Sequence, residues 1–134
     1  MRVSLIITTY NRPEALSLIF KSIEAQTIYP NEIIVADDGS GKSTMRVIQS
    51  FSNTFKIPLI HSWQKDKGCR IPHSRNRAIA KSQFEYIIMV DGDTVLHRNF
   101  IKEHKRFARK GIYIQGSRVL LQEEFTKKIF ENSV

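Results

Sequence analysis

A chain of 134 residues with one cysteine, Cys69, has room for a single domain with a real core and no internal disulfide. No apolar stretch approaches the roughly 20 residues of a membrane span, and residues 1–9 are too short in apolar character for a secretion signal and lack its cleavage site. The net charge of +8 is uneven, because segment 65–81 sets its cations against Asp66 alone and segment 98–110 sets its own against Glu103. Such patches suit nucleic acid, acidic lipid headgroups or phosphorylated substrates, or they are solvated helix faces.

Residues 3–8 form a short β-rich run, and Pro13 suits the first turn of a following helix. Leu16, Ile19, Phe20 and Ile23 then recur at helical spacing to about Gln26. Residues 32–36 predict a second strand that ends in Asp37, Asp38, Gly39 and Ser40. Val47, Ile48 and Phe51 mark a helix starting near Ser43 or Thr44, and residues 59–61 predict a third strand. Residues 72–81 predict a helix with Ala78 and Ile79 inward, and 86–90 a fourth strand buried on both faces. Phe100, Ile101, His104, Phe107 and Ala108 share an apolar helical face opposite Lys102, Lys105, Arg106 and Arg109, with Gly111 placed to end the helix. Residues 112–115 and 119–121 predict two more strands, and 122–130 a helix. The alternation predicts an α/β fold: a Rossmann-like, mostly parallel sheet with right-handed crossovers and helices on both faces, spanning 1–134 as one domain.

In such a sheet the carboxyl ends of the strands share one edge, where open α/β sheets bind ligands. Three of these ends are rich in polar groups: Thr8 to Arg12, Asp37 to Ser40, and Asp91-Gly92-Asp93. Tyr10 offers a flat face to a nucleobase, and Arg12 a bidentate donor to phosphate. Asp38 can accept from a pyrimidine N–H or a ribose hydroxyl. Two carboxylates as close as Asp91 and Asp93 repel unless a cation lies between them, and their hard oxygens suit Mg²⁺ or Mn²⁺. Arg75, on the third helix, adds positive charge, so the set can stabilise a nucleoside diphosphate leaving group. An aspartate-rich turn capping a strand is the plain alternative for Asp91–Asp93.

Read together, these segments resemble family-2 glycosyltransferases of GT-A fold. Residues 3–13 look like that family's opening strand and nucleotide-binding turn, and residues 32–40 like its second strand with the aspartates that contact uracil and ribose. Residues 66–80 are similar to the segment before the metal motif, and Asp91-Gly92-Asp93 matches the Asp-X-Asp signature. The resemblance covers about residues 1–120. It implies that Thr8, Tyr10 and Arg12 hold the nucleotide, that Asp38 binds uracil or ribose with Asp37 as a second contact, and that Arg75 lies near the sugar-phosphate. Asp91 would touch ribose or sugar and share with Asp93 a Mn²⁺ or Mg²⁺ ion. The implied donor is a UDP-sugar and the acceptor a glycan or a lipid-linked acceptor, with Lys67-Gly68-Cys69-Arg70 similar to bacterial lipopolysaccharide or capsule enzymes. Residence would be cytoplasmic, with the basic patches suited to peripheral contact with the membrane's inner face.

An inverting transfer also needs a carboxylate to deprotonate the acceptor. After Asp93 the acids are Glu103, Glu123, Glu124 and Glu131, none in a context like the family's base motif. The acceptor-binding half is thus expected to be absent, leaving three forms open: a truncated product, a fragment, or half of an enzyme completed by another chain. A non-catalytic nucleotide-sugar-binding module is the alternative reading. Two remoter ones are a phosphate-binding loop at residues 36–43, which Asp37 and Asp38 would oppose electrostatically, and a basic nucleic-acid-binding domain. The four histidines lack metal-ligand spacing, and no histidine is placed to assist Cys69.

Overall fold

The computed structural model describes residues 1–132. Its elements run β1 (Val3–Thr9), α1 (Pro13–Glu24), β2 (Glu32–Asp37), α2 (Lys42–Ser52), β3 (Leu59–Trp63), α3 (Ile71–Lys81), β4 (Tyr86–Asp91), α4 (Phe100–Phe107) and α5 (Glu123–Asn132). The strands lie in the order β3-β2-β1-β4, and every pairing is parallel. The chain therefore steps outward from β1 to β3, then returns to the far side of β1. Right-handed crossovers in opposite directions must lie on opposite faces. Accordingly α1 and α2 cover one face and α3 the other.

The larger core joins Val3, Leu5 and Ile7 of β1 to Leu16, Ile19, Phe20 and Ile23 of α1, the helical stripe read from spacing. Phe20, Phe51 and Phe55 pack with ring centroids 4.9 to 6.0 Å apart, tying α1 to α2 and the turn after it. On the other face Ile6, Ile34 and Ala36 meet Ala78 of α3. Glu32 is buried at the base of β2, where one carboxylate oxygen accepts from Ser4 Oγ (2.6 Å) and the Gln83 backbone N–H (2.8 Å). Among the described residues, no helix is long and apolar enough to cross a membrane.

Four local expectations are corrected. β4 is not buried on both faces: Met89 is 52% exposed. The strand is at a sheet edge, and α3 packs over β2, β1 and β3 rather than over it. Ile79 is turned outward while Ala78 faces the sheet, since adjacent helical residues point about 100° apart. Phe107 is exposed at the last turn of α4, beyond the reach of the core that takes Ile101. Residues 112–115 and 119–121 are not strands, because β-propensity without a partner ladder leaves backbone groups better satisfied by water.

Candidate functional site

The reversal of strand order between β1 and β4 opens a crevice at the carboxyl ends of the strands, as expected for a topological switch point. A cavity of about 330 Å³ lies there, lined by Thr8, Thr9, Tyr10 and Arg12 after β1, Ala36 and Asp38 of the second strand end, Ile71, Ser74 and Arg75 of α3, and Asp91, Gly92 and Asp93. Thr8, Tyr10, Arg12, Asp38, Arg75, Asp91 and Asp93 are thus brought to one place. Asp37 is not. It lies 1% exposed below the loop, outside the cavity lining.

Two glycines make this packing possible. Gly92 N–H donates to Thr8 O at 2.7 Å, and a Cβ on Gly92 would sit 2.5 Å from that oxygen. The residue between the two aspartates is therefore small because the β1 backbone presses on it. Gly39, with φ of +102°, would put a Cβ 2.6 Å from the backbone of Asp66.

The β1 and β2 ends are cross-braced. Asp37 Oδ2 pairs with His61 Nε2 at 2.7 Å, and Oδ1 accepts from Ser40 N–H at 2.9 Å. Burial alone would raise the Asp37 carboxyl, but the bonds from His61 and Ser40 outweigh it and hold it below its ordinary value. Ser40 Oγ accepts from Asn11 N–H (2.8 Å), and Asn11 Oδ1 from Gly41 N–H (2.9 Å), with Asn11 in the left-handed region at φ 47°. These amides are committed to side chains of the protein itself. The Ser40 and Gly41 amides are thus unavailable to a phosphate, which weighs against a phosphate-binding loop here.

Asp38 is 3% exposed, and both its oxygens are engaged: Oδ1 by Gln64 Nε2 at 2.6 Å, Oδ2 by Arg70 N–H at 2.7 Å. A carboxylate has about four lone-pair sites, so acceptor capacity remains. Tyr10 Oη donates to Asp66 Oδ2 at 2.7 Å, and this bond with the nearby negative charge raises the phenol above its ordinary value. Segment 64–70 thus forms a wall bonded to both Asp38 and Tyr10. Gln64 and the Arg70 amide escaped the sequence reading; the available signal was the end of β3, a fourth strand end on the same edge.

The β4 end is open and cationic. Asp91 Oδ1 accepts from Thr8 Oγ1 (3.1 Å) and Arg75 Nη2 (3.0 Å), and its Oδ2 from Arg118 Nη1 (3.3 Å). Asp93 stands 3.9 Å from Arg12, both more than half exposed. No sequence signal pointed to Arg118. Among the described residues, no three histidine, cysteine or acidic side chains converge as a ready metal cage. Glu123 and Glu124 pair with Lys127 and Lys128 one turn along α5, and Glu103 with Arg106, all away from the cavity lining.

Known proteins share both sequence and shape with this chain. The hyaluronan synthase of Pasteurella multocida is 35% identical over 92 residues, a match covering 68% of this chain and 9% of that protein. The cholesterol galactosyltransferase of Borreliella burgdorferi is 35% identical over 92 residues, covering 69% and 25%. The chain therefore spans a quarter or less of these relatives' length. Among solved structures, S. aureus TarS 1–349 superposes with a TM-score of 0.68 at 24% identity over 80% of this chain and 32% of that one. The mannosyltransferase PcManGT of Pyrobaculum calidifontis, in complex with GDP-Man and Mn²⁺, does so at 0.62 and 24% identity, over 73% and 29%. The sheet and its neighbours are those of the GT-A fold. Residues 4–130 match the model of glycosyl transferase family 2, and the chain belongs to that family.

Proposed function

We propose that this domain binds a nucleoside diphosphate sugar, with UDP-sugar as the donor, in the crevice between β1 and β4 for transfer to a glycan or lipid-linked acceptor. The observation that carries the reading is the division of the cavity. One end has an aromatic ring, Tyr10, and a preset acceptor, Asp38; the other has two carboxylates among arginines. Asp38 is held by donors on both oxygens, so it meets a ligand as an acceptor, which suits the imide N–H of uracil or a ribose hydroxyl. Arg12 and Arg75 suit the diphosphate. Related structures carry UDP, UDP-GlcNAc, or GDP-Man with Mn²⁺, which supports the class of ligand.

The donor set at the β4 end fits Mg²⁺ or Mn²⁺. Such ions are usually bound by one or two carboxylates, with phosphate and water supplying the rest, and Asp91 and Asp93 are two carboxylates that, among the described residues, no third histidine, cysteine or acidic side chain joins. When bound, the ion would neutralise the leaving diphosphate. The chain's own residues then orient the nucleotide through Tyr10, Asp38 and Thr8 and balance its charge through Arg12 and Arg75. The basic segment 98–110, with Phe107 exposed beside it, suits an anionic membrane surface that would present a lipid-linked acceptor.

A second reading, donor binding without transfer, is favoured by one observation: Asp38, Asp91 and Asp93 are the carboxylates lining the cavity, and all have other roles. A base for the acceptor must come from outside the described lining residues. Calorimetric titration with UDP in Mn²⁺ tests the site. Asp93→Ala should lose the metal-dependent part of the affinity, and an unchanged affinity would refute the assignment. Steady UDP release from UDP-sugars in the presence of acceptor would separate transfer from binding alone.

A further inference from the structure

Segment 109–122, between α4 and α5, is mostly exposed, with Tyr113 at 85%, Val119 at 88% and Leu120 at 86%. Among the described residues, the Arg118–Asp91 contact is the only side-chain hydrogen bond or ion pair made by residues 113–121. An ion pair this exposed, at 68% and 44%, does little to hold a chain segment in place. Its position is informative instead. Arg118 lies on Oδ2 of the carboxylate whose Oδ1 is already held by Thr8 and Arg75.

Three guanidinium groups, those of Arg12, Arg75 and Arg118, stand around Asp91 and Asp93. A divalent cation arriving at the two carboxylates neutralises them and leaves the guanidinium groups short of counter-charge. A diphosphate supplies that charge, and the planar fork of arginine matches phosphate oxygens. Resting on the nucleotide-sugar reading above, we propose that Arg118 is a donor-binding residue carried on a strap formed by segment 109–122. In the ligand-free protein it holds Asp91; when cation and diphosphate load, it exchanges Asp91 for phosphate and draws the strap over the crevice.

The test is calorimetry with Mn²⁺ and UDP on the chain and on Arg118→Ala, Arg118→Lys and Lys110→Ala, with thermal melts to check folding. Arg118→Ala should bind Mn²⁺·UDP about tenfold more weakly, Arg118→Lys should lose less, and Lys110→Ala should match wild type. Trypsin cleavage after Arg109 and Lys110 should slow when Mn²⁺·UDP is added to wild type, and not in Arg118→Ala. Wild-type affinity in Arg118→Ala overturns the proposal while leaving the nucleotide reading intact. So does an equal loss in Lys110→Ala, which would indicate general charge. A wild-type chain that binds no UDP in Mn²⁺ overturns both.

Discussion

The two ends of the crevice are built from the same residue type in opposite ways. Asp38 is buried and held by an amide side chain and a backbone N–H, both neutral donors. Asp93 is exposed and Asp91 half-exposed; Asp93 faces Arg12, and Asp91 is held by the Thr8 hydroxyl and by Arg75 and Arg118, so most of their partners are flexible cations. A buried carboxylate with preset partners is a rigid feature, since leaving its donors unsatisfied is costly. An exposed carboxylate paired with flexible cations can exchange those partners at little cost. The Asp38 end is therefore preformed and the Asp91–Asp93 end is exchangeable, as the proposed admission and release of a charged diphosphate would require.

The contrast can be broken by substitution. Asp38→Ala should have the largest effect on folding, about 2–3 kcal/mol in urea unfolding, because it removes the acceptor of the Arg70 N–H and of one Gln64 Nε2 N–H. A loss below about 0.5 kcal/mol would mean that these donors find water and that the end is not rigid. Next comes Asp37→Asn, expected to lose about 1–2 kcal/mol near neutral pH with the His61 bond weakened. Since the folded Asp37 carboxyl is held below its ordinary value, its stabilisation is present above the unfolded value near 3.9 and is lost as pH falls through the folded one. The gap between wild type and Asp37→Asn should therefore close on acidification below that range, and a gap independent of pH would exclude the carboxylate as its source.

His104 sharpens the picture away from the crevice. Burial against Phe100 and Tyr86 lowers its ordinary value, so the unfolded chain binds the proton more readily. Stability should fall as pH drops below about 6.5, down to the depressed folded value, and His104→Gln should flatten that slope in melts between pH 7 and pH 5. The smallest folding effect belongs to Asp93→Ala. Its exposed ion pair with Arg12 predicts a change within about 0.5 kcal/mol, so the same variant that loses metal-dependent binding should melt like wild type.

Much of this molecule was legible in its sequence. The stripe Leu16, Ile19, Phe20 and Ile23 and the strand runs gave correct elements, because burial against a sheet imposes a period on the side chains themselves. Convergence of Thr8, Tyr10, Asp38 and Asp91 followed from strand direction alone. What went unread was non-local. Gln64 reaches Asp38 across 26 residues of chain, and Arg118 reaches Asp91 across 27. The burial of Asp37 goes with its bond to His61 on the neighbouring strand, 24 residues away, and the exposure of Met89 with a helix, α3, that packs over the other strands.

By itself, then, the sequence determined the alternation of strands and helices, the polar strand ends and their charge, since these are carried by local pattern and composition. The tertiary structure alone decided which aspartate is a buried brace, which is a preset acceptor and which are open to exchange. Solvent exposure and hydrogen-bond partners belong to the packed neighbours, and identical carboxyl groups become different chemical groups only when those neighbours are in place.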